Sequence, residues 1–136
     1  MKRKFLSFST FLFAVITCFV CLVACDKQGE TDSTVDPVCI TCETVTENET
    51  LLDVMAKLKE DGTLTYEVSK GMVTSINGTA NGMNSYWMLY TSDAEMSNSE
   101  WGTYEYDGKT LGSAVLGADE LVAVAGEIYV WVYTIF

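Results

Sequence analysis

The chain has 136 residues, the length of a single domain. It carries 19 acidic and 8 basic residues, a formal net charge of −11, and no histidine. The negative charge excludes binding to a nucleic-acid backbone, because that binding requires clustered Lys and Arg. The lack of histidine excludes Ser-His-Asp and Cys-His catalysis and metal binding by imidazole. An aromatic content of 12% is too high for a disordered acidic chain, so we expect a folded core.

Residues 1–24 have the pattern of a secretory signal peptide. A basic start, Lys2-Arg3-Lys4, precedes an apolar run over residues 5–24, and the first acidic residue is Asp26. A basic segment followed by an apolar one is typical of a signal peptide. Because a run of 20 residues is also long enough for a transmembrane helix, the residues at its end must distinguish the two.

The segment Leu22-Val23-Ala24-Cys25 resembles the lipobox of bacterial lipoproteins. The resemblance implies cleavage between Ala24 and Cys25 by signal peptidase II and acylation of the Cys25 thiol. We therefore predict a protein anchored by lipid to the extracytoplasmic face of the bacterial cytoplasmic membrane. The alternative is a cysteine buried in a retained membrane helix.

Removal of residues 1–24 would leave 112 residues with 5 basic and 19 acidic side chains, a net charge of −14. Anionic lipid headgroups repel such a body, so the lipid rather than charge would hold it at the membrane. Residues 25–37 contain one aliphatic side chain, that of Val35, and no aromatic one. This composition predicts a lipidated, disordered tether before a domain over residues 38–136.

A helix is predicted over residues 50–61. Thr50 and Asp53 have the spacing of a capping pair, and Gly62 supplies the stop. Between them, the apolar residues fall on one helical face: Leu51, Leu52, Val54, Met55 and Leu58.

The rest of the domain has the short apolar runs of strands. These runs cover residues 38–45, 64–68, 72–76, 86–90, 121–125 and 128–136. A polar loop is predicted over residues 91–100, and a hairpin at Gly126-Glu127. We expect an α+β, β-grasp-like fold in which one helix packs on a mixed sheet of about five strands.

The order of these elements is similar to that of the transcobalamin C-terminal-like domain, a β-grasp module of bacterial surface lipoproteins. The resemblance is carried by the turn Ser75-Ile76-Asn77-Gly78, the strand with Trp87-Met88 and the terminal Trp131-Val132-Tyr133. It implies the fold and a role in binding a ligand or partner. It does not imply cobalamin, because the large helical domain that completes that site in transcobalamins has no counterpart in these 136 residues.

Trp101 is the strongest candidate for a ligand contact. It lies among polar residues, where an exposed, rigid ring suits a binding site. Tyr104, Asp93 and Glu95 are the further candidates, and the predicted ligand-binding region is the loop from Tyr90 to Trp101. The acidic residues of the loop match no known calcium-loop spacing, and we predict neither a metal nor a cofactor.

Cys39 and Cys42 are the remaining candidates for chemistry. Their spacing allows a disulfide or inert thiols, a redox pair, or half of a metal site. A redox pair favours the start of a helix, whereas these residues lie in a predicted strand. We therefore favour a structural disulfide or inert thiols.

The sequence thus predicts a non-catalytic, lipid-anchored extracytoplasmic module that binds a small ligand or an envelope protein, and no nucleic acid. The alternatives are a thiol-active envelope protein using Cys39 and Cys42, and a purely structural or adhesive surface domain.

Overall fold

A computed structural model describes residues 30–31 and 34–136. The predicted signal peptide, its cleavage site and Cys25 lie outside the described residues. Within the described part of the chain, no helix combines the length and apolar character that crossing a bilayer requires.

The described residues form one helix and nine strands. In chain order they are β1 (Glu30–Thr31), β2 (Val38–Thr41), α1 (Leu51–Glu60), β3 (Tyr66–Ser69), β4 (Met72–Ile76), β5 (Thr79–Ala80), β6 (Ser85–Thr91), β7 (Ser97–Tyr106), β8 (Lys109–Ala114) and β9 (Ile128–Ile135).

The strands form two antiparallel sheets. The larger has the order β1-β9-β6-β8-β7, and β2 pairs with β9 beside β1. The smaller is β3-β4-β5. Its strands are joined by the two-residue turns Lys70-Gly71 and Asn77-Gly78, whose positive φ values suit tight antiparallel hairpins.

The predicted α+β fold with one mixed sheet is therefore wrong. The fold is β-rich: every described strand pair is antiparallel, the strands divide into two sheets, and α1 has only 10 residues. Parallel pairing requires long crossovers, usually helical, whereas tight turns close consecutive strands into antiparallel hairpins.

The helix prediction is confirmed. The Thr50 hydroxyl accepts a hydrogen bond from the Asp53 N–H at 3.2 Å, and the Asp53 carboxylate accepts one from the Thr50 N–H at 3.0 Å. This reciprocal cap satisfies backbone donors that the first helical turn leaves unpaired.

Residues 121–125 do not form the predicted strand. Gly126-Glu127 therefore does not join two strands of a hairpin. This stretch instead packs against the start of α1. The Leu121 carbonyl accepts the Leu51 N–H at 2.8 Å, and the Glu49 carbonyl accepts the Ala123 N–H at 2.8 Å. Burial of Leu121 and Ala123 under the helix gives the segment an apolar pattern like that of a strand.

Polar residues of the predicted tether contact the larger sheet. Glu30 pairs with Ile135 and Thr31 with Thr134, and Val35 packs against the main core. Backbone pairing of this kind needs no apolar side chains, so composition did not reveal it. Residues 34–37 are also described and lead into β2, whereas residues 25–29 and 32–33 of the predicted tether lie outside the described residues.

Alternate residues of β6 and β9 build the main core. Trp87, Leu89, Tyr129 and Trp131 share one face of the larger sheet and pack with α1 and the smaller sheet. The opposite face carries a smaller cluster around Val130, Val132 and Leu111. Hydrogen bonds from Asn81 to β4 and β6 place the edge of β6 beside the smaller sheet, where the cavity described below lies.

Candidate functional site, a cavity between the two sheets

The side chain of Asn81 connects the two sheets. Its amide Nδ2 donates a hydrogen bond to the Val73 carbonyl of β4 at 3.3 Å, and its Oδ1 accepts the Trp87 N–H of β6 at 3.0 Å. Its backbone N–H also donates to the Thr74 carbonyl at 2.8 Å. The amide thus takes the place of direct strand pairing between β4 and β6.

The register of β6 determines which backbone groups face β9. The Phe136 N–H donates to the Asn84 carbonyl at 2.7 Å, and the Ser92 N–H donates to the Ile128 carbonyl at 3.0 Å. Because hydrogen-bonded pairs alternate along an antiparallel ladder, the even-numbered residues of β6 bond to β9. The N–H and C=O groups of Trp87 and Leu89 consequently point to the opposite edge.

Strand β8 covers only the last part of that opposite edge. It pairs with β6 at Tyr90 and Thr91. This register lets the Leu89 carbonyl accept the Ala114 N–H and then ends. The ladders of β6 therefore provide no strand partner for the Leu89 N–H or the Trp87 C=O.

A cavity of about 400 Å³ lies along this open edge. Residues 71–73 form the wall on the β4 side, residues 86–89 the wall on the β6 side, and residues 113–118 the end. Trp131 also lines it. The exposed surface of the lining is mostly apolar, with side chains such as those of Val73 and Leu89, so the cavity suits an apolar group.

The indole of Trp131 has an unused hydrogen-bond donor. The side chain is 5% exposed, and its Nε1 is buried without a partner among the described residues. By contrast, Trp87 donates from its Nε1 to the Thr79 carbonyl at 2.8 Å. A buried donor without an acceptor costs free energy, so the indole N–H of Trp131 is an unsatisfied group inside the core.

Asp119 places a carboxylate at the rim of the cavity. Its Oδ2 lies against Gly71, where an added Cβ would collide with it, and a Cβ at Gly117 would lie 2.8 Å from its Oδ1. Gly71 also has a φ of +79°, which favours glycine. Because Gly71 and Gly117 both line the cavity, the exposed carboxylate lies close to the lining, where it disfavours an anionic ligand.

The structure does not gather the four predicted ligand-binding residues into one site. Trp101 is 62% exposed on the edge strand β7, where the pairing register shifts between Asn98 and Thr103. Tyr104 stacks on Tyr90 with ring centroids 5.6 Å apart, in the cluster on the other sheet face.

The two acidic candidates belong to a turn. The Asp93 carboxylate is almost buried and accepts the Glu95 N–H at 3.0 Å, while the Asp93 N–H donates to the Thr91 hydroxyl at 3.1 Å. Glu95 itself is exposed. None of the four predicted residues lines the cavity. In addition, the predicted loop is shorter than residues 91–100, because β7 begins at Ser97.

Cys39 and Cys42 are free thiols in the structure. Cys39 packs in the cluster around Val130, whereas Cys42 is buried in the main core. Burial, together with the nearby negative charge of Glu49, raises the pKa of the Cys42 thiol above its ordinary value. A raised pKa keeps a thiol protonated and makes it a poor nucleophile.

No cluster of three or more Cys, Asp or Glu side chains in residues 30–31 and 34–136 is arranged to hold a metal ion. The cavity residues were not recognised as a site in the sequence. Asn81-Gly82 has the pattern of a turn, which is correct, but the pattern does not reveal that the Asn81 amide reaches two strands of different sheets.

Comparison with known families gave a match for part of the chain. Residues 48–109 match the model of a domain of unknown function, DUF4430. This family is transcobalamin-like, so the predicted resemblance to the transcobalamin C-terminal-like domain is confirmed for residues 48–109. The match includes β4, β6 and Asn81, which contribute the two walls of the cavity. No curated protein and no solved structure gave a match to the chain.

We expect Asn81→Ala to lower the free energy of unfolding by about 1–3 kcal/mol, because it leaves the Val73 C=O and Trp87 N–H without partners. The measurement is urea unfolding of the full chain. Asn84→Ala is the matched control, since Asn84 is exposed and no described hydrogen bond uses its side chain. Equal losses in the two variants would contradict the connecting role of Asn81.

Proposed function

We propose that the chain is a non-catalytic, lipid-anchored module that binds a small ligand on the extracytoplasmic face of a bacterial cytoplasmic membrane. The observation that carries the binding role is the apolar cavity between β4 and β6, with backbone groups on one wall that lack strand partners.

The size and chemistry of the cavity support ligand binding. Ligand sites are typically concave, with volumes of about 300–1,000 Å³, and combine apolar walls with a few polar groups. The volume of about 400 Å³ lies in this range. The Leu89 N–H and the Trp87 C=O are polar groups on one wall, and Asn81, Tyr86 and Ser113 also line the cavity.

The residues around the cavity favour binding over catalysis. Among the described residues, its lining includes the hydroxyls of Ser113 and Tyr86 but no Asp, Glu, Lys or Cys side chain, and the Asp119 carboxylate lies close to the lining without being part of it. A serine or tyrosine hydroxyl is a weak nucleophile until an adjacent base activates it, and the lining supplies no such base. Cys42 lies elsewhere, in the core, with a raised pKa.

The sequence before the domain supports the anchor. The basic start, the apolar run and the lipobox that ends at Cys25 together form a lipoprotein signal. An acidic domain gains little from contact with anionic headgroups, so stable attachment would rest on the acyl chains.

The cavity can be tested with indole, a small apolar probe. In NMR spectra of the isotope-labelled full chain in lipid nanodiscs, indole should shift the amide signals of Val73 and Leu89 in a saturable way. Ala114→Leu places a larger apolar side chain in the cavity, so it should weaken binding at least about tenfold, or about 1.4 kcal/mol.

Ala56→Leu is the matched control, because Ala56 is exposed on α1 and should leave indole binding unchanged. If Ala114→Leu does not fold, Ala114→Val fills the cavity less and should give a smaller loss in the same direction. Indole binding that is equal in the wild type and a folded cavity variant would refute the proposed site.

The proposed lipid anchor at Cys25 can be tested separately. Cys25→Ala should abolish incorporation of a labelled fatty acid and release the protein from the membrane fraction of an expressing bacterium. Cys21→Ala changes the same residue type inside the apolar run and should leave labelling intact. Undiminished labelling of Cys25→Ala would overturn the lipoprotein assignment.

A further inference from the structure

The open edge of β6 has the hydrogen-bonding pattern of an unfilled strand position. The Trp87 C=O and the Leu89 N–H lie on the same edge, on either side of Met88. In a sheet, such a pair bonds to the N–H and C=O groups of an adjacent strand. We infer that the cavity binds a neutral, apolar peptide segment in an extended conformation, an assignment that rests on the ligand-binding function proposed above.

The ends of the open edge limit how much of a peptide can pair. At one end, Asn81 already accepts the Trp87 N–H. At the other, β8 pairs with Tyr90 and Thr91. Only one acceptor and one donor remain between these points, and we assign the segment the direction parallel to β6, in which the N–H and C=O of a single residue bond to both. The site therefore suits a short peptide or the end of a longer one.

The cavity walls determine the side chain of that residue. Val73, Leu89 and the indole of Trp131 offer apolar surface, which favours an aliphatic or aromatic side chain. Met72 is 62% exposed beside the same cavity and can cover a bound group without disturbing the core.

The negative charge near the cavity also limits which ligands can bind. The Asp119 carboxylate lies against Gly71 and Gly117, which line the cavity, and the chain as a whole carries a net charge of −11. A free carboxylate on the ligand would be repelled at short range, whereas an amide would not. A peptide bond with apolar neighbours satisfies the backbone pair and avoids this repulsion.

Binding of an extended residue also explains how the open edge is compatible with an apolar cavity. Unpaired backbone groups are costly when they are removed from water. A ligand that supplies both a donor and an acceptor removes this cost at the moment when it excludes water. An apolar ligand without them fills the volume but leaves the two groups unsatisfied.

The test uses N-acetyl-leucine N-methylamide, which presents one N–H and one C=O from the same extended residue. Its analogue methylated on the leucine nitrogen lacks the donor for the Trp87 C=O. In the nanodisc-embedded full chain, we expect the parent amide to shift the Leu89 amide signal and the analogue to bind at least about tenfold more weakly. N-acetyl-leucine with a free carboxylate should also bind more weakly, because of Asp119.

Two variants separate backbone pairing from packing. Ala114→Leu should weaken all three ligands, because it occupies the cavity they share. Asp119→Asn should raise the affinity for the free carboxylate relative to the N-methylamide. Equal affinity for the parent amide and its N-methylated analogue would overturn the peptide assignment. If indole still binds in that case, the ligand-binding function stands, whereas failure of indole and of all three leucine derivatives would refute both.

Discussion

The side-chain amide of Asn81 is the interaction on which the arrangement of the two sheets depends. It bonds to the Val73 C=O of β4 and the Trp87 N–H of β6, which belong to separate sheets. An amide suits this position because it offers a donor and an acceptor together. It keeps the strands connected without letting them pair directly, and the space beyond it becomes the cavity.

The cavity follows from this spacing and from the register of β6. Alternation along the ladder with β9 directs the backbone groups of Trp87 and Leu89 to the other edge, and β8 covers that edge only from Tyr90 onward. A sheet normally pairs or protects its exposed edges. Here the uncovered groups face apolar side chains, which gives a small ligand both a volume to fill and two directional contacts.

Local structure was predictable from the sequence where neighbouring residues determine it. Thr50 and Asp53 marked the start of α1, and the apolar runs marked β4, β6 and β9. The division into two sheets was not predictable in this way, because pairing depends on residues far apart in the chain. Residues 121–125 show the difference: their apolar character reflects burial under α1 rather than strand pairing. For the same reason the site was expected near Trp101, whose exposure was visible in its polar neighbours, and not at Asn81.

Amide hydrogen exchange in the ligand-free full chain tests the central claim most directly. Met88 and Tyr90 donate their N–H groups to β9, whereas the Leu89 N–H between them has no strand partner. We expect the Leu89 amide to exchange at least about tenfold faster than both neighbours, because a missing hydrogen bond lowers local protection. N-acetyl-leucine N-methylamide should slow the exchange of Leu89 selectively. Protection of Leu89 equal to that of Met88 and Tyr90 without ligand would contradict the account.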